Sequence, residues 1–284
     1  MTADSPPTDR LSPEAAFELL GNRTRLAILR ALWDADAPTG FTDLRRAVGV
    51  GDSGQFNYHL DRLVGSYVED DGSGYSLTTA GEYLIGSILA DAIDQRPGFG
   101  SFPVDGTCRS CGGDLEAEFA DLGEIRCAAC GTTVMADAFP PAGELHREPA
   151  EIAEAFDRWI RHRAALAWRG VCPRCAGRVV REYAVAADGT GVRVEYACEH
   201  CRHEGTGPLI AQLLHHPAVI AAYYERGLDL GELPYWEQRH LLDDFEQEVL
   251  TEDPLRVRVT VPFEDGRLEL TVDAAGEVVE VSGP

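Results

Sequence analysis

Apolar and polar positions follow a helical period along most of residues 1–95. Ser12 followed by Pro13 predicts the start of a first helix, because Ser is a favoured N-cap and Pro fits the first helical position. Asn22 predicts the cap of a second helix, and a third, short helix is broken at Gly49-Val50-Gly51. The pattern therefore predicts that the chain begins with several short helices.

A fourth helix follows Asp52 and Gln55, which have the spacing of a capping box. Its apolar stripe has the spacing i, i+4, i+7, i+8 and consists of Phe56, Leu60, Leu63 and Val64. The other positions project to the opposite side, with Gln55, Tyr58 and Arg62 near its centre and Asn57 and His59 on its flanks. One face of this helix is predicted to be buried and the other polar.

Two short β-rich runs, Tyr67-Val68-Glu69 and Tyr75-Ser76-Leu77, predict a hairpin, and a last helix begins near Thr78. The order helix, helix, helix-turn-helix, hairpin, helix is the winged helix-turn-helix arrangement. In that arrangement the fourth helix enters the major groove and presents about four side chains to base edges. Gln pairs with adenine, Arg pairs with guanine, and Tyr contacts a phosphate or a thymine methyl group.

The cysteines give the strongest chemical signal. All eight occur in Cys-x-x-Cys pairs, which group into two quartets with 15 and 22 residues between the pairs. The first quartet consists of Cys108, Cys111, Cys127 and Cys130, and the second of Cys172, Cys175, Cys198 and Cys201. Two such turns, brought together by a short sheet, complete a tetrahedral site of four thiolates. Such a site has no open position, so it is structural rather than catalytic.

Two structural Zn²⁺ ions per chain are the predicted cofactors, held in zinc ribbons. Rubredoxin-like iron uses the same ligands, and redox-switching disulfides are a third interpretation. His200 or His203 could replace one Cys of the second quartet, although solvated loop histidines are the alternative. Paired Cys knuckles indicate metal ligands in a reducing cytoplasm rather than secreted disulfides.

The segment between the quartets, residues 149–168, predicts a connecting helix that is rich in Arg. Its Arg residues either touch DNA or an acidic partner, or pair with nearby carboxylates. The end of the chain predicts a three-strand meander with turns at 264–266 and 274–276. The acidic residues of 243–248 are interpreted as the solvated face of a helix.

The charge balance is unusual, with a net charge of −23 and 25 basic residues that are all Arg. Dense carboxylates without Lys indicate adaptation to concentrated salt, and a GC-rich coding bias is the alternative. A DNA-binding protein usually has a basic face. At molar salt, however, the Debye length is about 3 Å and counterion release drives little binding. Net charge therefore does not exclude a DNA partner.

No apolar run is long enough to cross a membrane, so no membrane association is expected.

Three segments resemble ArsR-type winged helix-turn-helix regulators. LGNRTRLAILRAL is similar to their second helix, DSGQFNYHLDRLVGSYV to their recognition helix and YSLTTAG to the exit of their wing. The resemblance covers roughly residues 11–92 and implies a dimer joined through the first and last helices. The chain departs from the metal-sensing members, since these helices contain no Cys, and its wing tip is acidic at Asp70 and Asp71.

The predicted fold class is α+β, in five segments. Residues 1–95 form the winged helix-turn-helix domain, 101–148 the first zinc ribbon, 149–168 the connecting helix, 169–208 the second zinc ribbon, and 209–284 a small helical and β-meander region. No phosphate-binding loop or nucleophile elbow is present, so no enzyme is expected.

The predicted function is a sequence-specific DNA-binding transcription regulator. The alternative is a winged-helix and zinc-ribbon scaffold that reads no DNA and acts in a transcription or RNA-processing complex. Expected partners are double-stranded DNA, a second copy of the chain, and a protein or small effector at the C-terminal region. The candidate DNA-binding residues are Arg45, Ser53, Gln55, Asn57, Tyr58 and Arg62.

Overall fold

The computed structural model describes residues 12–91, 100–120, 122–186 and 191–283. The chain folds as two compact units, Met1–Gln95 and Arg96–Pro284. Helices and sheets are both well represented, so the α+β prediction is confirmed at that level. Each unit is described separately below.

The described part of the N-terminal unit contains five helices and one hairpin. The helices are α1 (Pro13–Leu20), α2 (Arg23–Trp33), α3 (Phe41–Val48), α4 (Ser53–Asp61) and α5 (Thr79–Asp91). The antiparallel hairpin consists of β1 (Val68–Asp70) and β2 (Tyr75–Leu77), in which Val68 lies opposite Leu77. The elements therefore follow one another in the predicted order.

Local chemistry sets the ends of these helices as predicted. The Ser12 hydroxyl accepts a hydrogen bond from the Ala15 amide at 3.2 Å, and the Asn22 side chain accepts from the Thr24 amide at 2.9 Å. Such N-caps satisfy amides that have no partner inside the helix and stabilise it by about 1 kcal/mol. Gly49 ends α3 in the left-handed conformation, with a φ of 75°.

The core of the N-terminal unit lies between α2, α4 and the hairpin. Phe41 meets Phe56 edge to face, with ring centroids 5.1 Å apart. Phe56, Leu60 and Leu63 of the predicted stripe are fully buried, whereas Val64 is 38% exposed. The prediction that Val64 is buried was wrong, and this residue lies beyond the end of α4 at Asp61.

A buried guanidinium joins three helices of this unit. Arg25 of α2 donates hydrogen bonds to the carbonyls of Leu19 and Glu18 at the end of α1. Its Nη1 lies 3.4 Å from Nδ1 of His59, which is buried on α4. His59 was predicted on the flank of α4, and the contact with Arg25 explains why it is buried instead.

The described part of the C-terminal unit contains three sheets and four helices. The first sheet consists of β3 (Phe102–Thr107), β4 (Asp114–Phe119), β5 (Gly123–Cys127) and β6 (Thr133–Asp137), antiparallel and in sequence order. The second consists of β7 (Val179–Val185), β8 (Val192–Cys198) and β9 (Glu204–Pro208). The third consists of β10 (Glu246–Glu252), β11 (Leu255–Phe263), β12 (Gly266–Asp273) and β13 (Val278–Ser282). The helices are α6 (Pro149–Trp168), α7 (Leu209–Leu213), α8 (Pro217–Glu225) and α9 (Gln238–Leu241), and a 3-10 turn lies at Pro141–Gly143.

The helix α6 packs its apolar face on the first sheet. Ile152, Phe156 and Ile160 are buried in a core shared with Leu115 and Ile125 of that sheet. Phe156 also meets Phe119 edge to face at 5.3 Å. The predicted connecting helix over 149–168 is thus confirmed, and it also forms part of the core of the first sheet.

A second core joins the second sheet, α7, α8 and the third sheet. Val194, Leu209, Val219, Val259 and Leu270 are buried together in it. The predicted meander is present as β11, β12 and β13, but it has an additional strand. Residues of 243–248 do not form the predicted acidic helix. From Glu246 onward the chain is the strand β10, whose residue Gln247 pairs with Val259.

Candidate functional site

Each of the four Cys-x-x-Cys turns has the same backbone hydrogen bond. The amide of the first Cys donates to the carbonyl five residues later, at 2.9 Å for Cys108 to Gly113 and at 2.8 Å for Cys172 to Gly177. The same bond runs from Cys127 to Thr132 and from Cys198 to His203. Because the tight loop is closed in this way, both sulfur atoms of a turn are held on one side of it.

The first quartet draws its ligands from loops at one edge of the first sheet. Cys108 and Cys111 lie in the turn between β3 and β4, and Cys127 and Cys130 at the end of β5. The sulfur atoms of Cys108 and Cys130 are 3.7 Å apart, and those of Cys111 and Cys127 are 3.5 Å apart. All four sulfurs lie within 4.8 Å of one another.

The second quartet repeats this arrangement on the second sheet. Cys172 and Cys175 precede β7, whereas Cys198 ends β8 and Cys201 follows it. The sulfur atoms of Cys172 and Cys201, and those of Cys175 and Cys198, are 3.6 Å apart. His200 and His203 are not members of the ligand group found among the described residues. The structure therefore brings together both predicted quartets, each as four Cys.

The residue after the second Cys of each turn has a positive φ. Gly112 and Gly131 occupy this position in the first quartet, with φ of 71° and 72°. In the second quartet it is occupied by Ala176 and Arg202, with φ of 57° and 58°. A left-handed backbone costs about 1 kcal/mol for a residue with a Cβ atom. Ala176 and Arg202 were not predicted to have this conformation, and their place directly after a Cys-x-x-Cys pair was the available signal.

Two other glycines make room for sulfur. A Cβ atom on Gly113 would lie 3.3 Å from the sulfurs of both Cys111 and Cys127. One on Gly177 would lie 3.2 Å from those of Cys175 and Cys198. These distances are tighter than ordinary carbon–sulfur packing, which explains why glycine occupies these two positions.

Nearby donors and thiols shift the pKa values of the cysteines in opposite directions. Hydrogen bonds from the Thr132 hydroxyl and amide lower the pKa of Cys130 to about 6. The Gly113 amide lowers the pKa of Cys111, but the thiols of Cys127 and Cys130 outweigh it and raise that pKa to about 12. Four thiols so close together do not all ionise at neutral pH unless a cation compensates their charge.

The sulfur positions fit a tetrahedral metal ion. Four sulfurs about 2.3 Å from a central Zn²⁺ are about 3.8 Å from one another, close to the 3.5–3.7 Å separations above. Backbone amides already point at three of the sulfurs, since Ala129 donates to Cys127 at 3.3 Å, and Arg174 and His200 donate to Cys172 and Cys198 at 3.4 Å. Such bonds orient and stabilise metal-bound thiolates. Both quartets therefore have metal-binding geometry.

The outer face of α4 carries most of the other candidate residues. Ser53, Gln55, Asn57 and Arg62 are exposed, and Tyr58 is 57% exposed. Asn57 donates a hydrogen bond to Asp61 on the same face, at 2.7 Å. Arg62 lies 3.8 Å from Glu18, and both side chains are largely exposed, so water screens this ion pair. The sixth candidate, Arg45, lies on α3 and donates to the Gly51 carbonyl at 2.8 Å.

The acidic residues in the tip of the β1–β2 hairpin have a local structural role. The Asp70 carboxylate accepts a hydrogen bond from the Gly72 amide at 3.0 Å, and that of Asp71 accepts from the Ser73 amide at 2.8 Å. Aspartate side chains commonly shape tight turns in this way. The bonds from the Ser73 hydroxyl and amide also lower the pKa of Asp71.

The basic residues of α6 pair with carboxylates. Arg161 lies 3.0 Å from Asp157, and Arg163 lies 3.2 Å from Asp137 of β6. All four side chains are at most 31% exposed. Of the two alternatives predicted for this helix, ion pairing is confirmed for these residues.

Fold and sites together define a chain with a helical N-terminal unit and a C-terminal unit that contains two four-cysteine groups with metal-binding geometry. A family model described as Domain of unknown function (DUF7351) matches residues 105–278, more than half of the chain, and the chain belongs to that family. A second model, Domain of unknown function (DUF7347), matches residues 13–88. No curated protein and no solved structure matches the chain significantly. Among the described helices, none has both the length and the apolar character needed to span a bilayer.

Proposed function

We propose that this protein is a sequence-specific transcription regulator that binds double-stranded DNA through a winged helix-turn-helix in its N-terminal unit. The observation that carries the proposal is the exposed polar face of α4, opposite the buried Phe56 and Leu60. The helix follows α3 after a short turn and precedes the β1–β2 hairpin. In the winged arrangement this is the helix that enters the major groove.

The exposed side chains of α4 supply chemistry that distinguishes bases. Gln55 and Asn57 offer paired donors and acceptors that match adenine, and Arg62 offers a fork that matches guanine. Tyr58 presents a hydroxyl and an aromatic ring, which suit a phosphate or a thymine methyl group. Because the Glu18 carboxylate that Arg62 meets is exposed, leaving it for DNA costs Arg62 little free energy.

Zinc is the metal proposed for both quartets, in a structural role. Four thiolates complete the coordination of each ion and leave no position for a substrate, so the ions stabilise the C-terminal unit. The Cys side chains hold the ion, and the backbone amides of the knuckles stabilise the thiolate charge.

The test uses a gel shift of the full chain with genomic DNA fragments in molar potassium salt. The variant combines Tyr58→Ala with Arg62→Ala, since both side chains point away from the core. Each lost base contact costs about 1–3 kcal/mol, so operator affinity is expected to fall tenfold or more. The melting temperature and the zinc content are expected to stay unchanged.

Arg30→Ala is the matched control, because Arg30 is exposed on α2, outside the proposed reading face. It removes one positive charge and is expected to preserve DNA affinity. If the double variant binds as tightly as the natural chain, α4 does not read DNA. If the natural chain binds no fragment, the alternative of a scaffold in a transcription or RNA-processing complex is favoured.

A further inference from the structure

A half-open cavity of about 330 Å³ is lined by residues of the C-terminal unit and by none of the eight cysteines. Its walls include Trp168 and Arg169 at the end of α6, Arg181 of β7, His215 and His216 before α8, and Glu277 before β13. Cavities that bind small molecules are typically about 300–1,000 Å³. The size and mixed lining therefore suit a small organic molecule.

The charged groups around this cavity are mainly cationic, although the chain has a net charge of −23. Arg181 is partly engaged, since it donates to the Trp168 carbonyl and lies 3.4 Å from Glu277. Within the described residues, the Arg169 guanidinium has neither an ion pair nor a hydrogen bond. One carboxylate thus faces two guanidinium groups, which leaves an excess of positive charge.

Two residues that line the cavity each carry a nitrogen atom that is buried away from its open space and has no hydrogen-bond partner among the described residues. These atoms are Nε1 of Trp168 and Nε2 of His215. The indole nitrogen is always a donor, and leaving it unpaired in the interior costs about 1–3 kcal/mol. Nδ1 of His216 accepts from the Ala218 amide at 3.2 Å, which places the ring hydrogen of neutral His216 on Nε2. His216, which lines the cavity, therefore carries a donor beside the guanidinium groups of Arg169 and Arg181.

The electrostatic surroundings of His215 agree with this description. Burial, the largest cause, and the charges of Arg161, Arg169 and His162 together lower its pKa to about 4. No carboxylate contributes to the shift. An anion in the cavity would compensate this positive potential.

We infer that this cavity binds a small organic anion, which carries a carboxylate or phosphate group on an apolar body. The anionic oxygens meet Arg169 and Nε2 of His216, and the apolar body packs against the Trp168 side chain. The inference does not depend on the proposed DNA binding.

The test measures binding of benzoate and of phenyl phosphate to the full chain, by calorimetry and by thermal melting. Ionic strength is held constant with potassium chloride, and neutral benzyl alcohol serves as the uncharged probe. At least one of the two anions is expected to bind and to raise the melting temperature, whereas benzyl alcohol is not. Comparing the two anions distinguishes a carboxylate site from a phosphate site.

Arg169→Gln removes one cation from the cavity, and because Arg169 is exposed the fold is expected to tolerate it. The dissociation constant is expected to rise about tenfold, because charge-assisted hydrogen bonds are the stronger ones. Arg178→Gln is the matched control. Arg178 lies directly before β7, its side chain is 79% exposed, and it does not line the cavity. The inference is overturned if neither anion binds, if benzyl alcohol binds equally well, or if Arg169→Gln and Arg178→Gln weaken binding equally.

Discussion

His215 shows how a single buried ring connects stability to pH. Its pKa falls from an ordinary value of 6.5 to about 4, because burial and nearby cations disfavour the charged form. The unfolded chain therefore takes up a proton between about pH 6.5 and pH 4 that the folded chain does not. The free energy of unfolding contains a contribution that is complete above pH 6.5 and is lost as pH falls toward 4.

Acidification from pH 7.5 to 5.5 is expected to remove about 1 kcal/mol of this contribution, by linkage. Gln at position 215 cannot take up a proton. The free energy of unfolding of His215→Gln is therefore expected to fall by about 1 kcal/mol less than that of the natural chain over the same pH range. Urea unfolding at each pH, with zinc in excess, measures both proteins. Equal pH dependence in the two proteins would show that His215 is protonated in the folded state as readily as in the unfolded chain.

Among single residues, helix caps are the feature that the sequence predicts well. Ser12 and Asn22 cap their helices as expected, because capping depends on groups within three residues of one another. His59 could not be placed correctly, because its burial depends on Arg25 of another helix. Ala176 and Arg202 escaped notice, since neither residue type usually marks a left-handed backbone.

The two sheets that carry the cysteine quartets are the elements in which sequence and structure agree most closely. A Cys-x-x-Cys pair is a local motif, so its spacing predicts the ligands and the tight loop together. The strand β10 was missed for the opposite reason. Its acidic and polar residues have no clear apolar alternation, and what makes it a strand is its pairing with β11. The cavity was also beyond prediction, since its walls come from residues more than 100 positions apart.

Removal of one ligand tests the role of the first quartet. The purified natural chain is expected to contain about two zinc ions, and Cys127→Ala is expected to lose the ion of the first site. The first sheet should then unfold, because binding of such an ion supplies about 10–16 kcal/mol of folding free energy. The N-terminal unit has its own core and no Cys, so it should stay folded.

Elemental analysis and amide hydrogen exchange check both parts of this expectation. Ala128→Ser is the control, because Ala128 is exposed next to Cys127 and offers no ligand. Stoichiometric iron in the natural chain would contradict the proposed metal. Loss of exchange protection in α2 and α4 of Cys127→Ala would contradict the independence of the N-terminal unit.

At the scale of the whole molecule, the N-terminal unit leaves apolar side chains in water. Phe17 of α1 and Tyr83 of α5 are each 76% exposed. We propose that a second copy of the chain covers them, in a dimer formed by the helices near residues 13–20 and 80–93. Residues 92–93 of that range lie outside the described residues.

Phe17→Ser combined with Tyr83→Ser is expected to shift the chain from dimer to monomer at micromolar concentration, because burial of large apolar side chains stabilises such interfaces. Sedimentation at high salt measures the mass. Tyr224→Ser is the control, since Tyr224 is a comparably exposed aromatic residue, 66% accessible, in the C-terminal unit. A natural chain that sediments as a monomer would refute the dimer.

The contacts of the buried Arg25 affect the spacing of the DNA half-sites that such a dimer would bind. Its guanidinium donates to the last carbonyls of α1 and contacts His59 of α4, so these contacts restrict movement of α1 relative to α4. In the proposed dimer, the contact between the α1 helices would then fix the distance between the two α4 helices. The dimer would therefore bind two half-sites at one fixed spacing, about one helical turn. A spacer longer by a few base pairs would rotate one half-site out of reach and so prevent its binding.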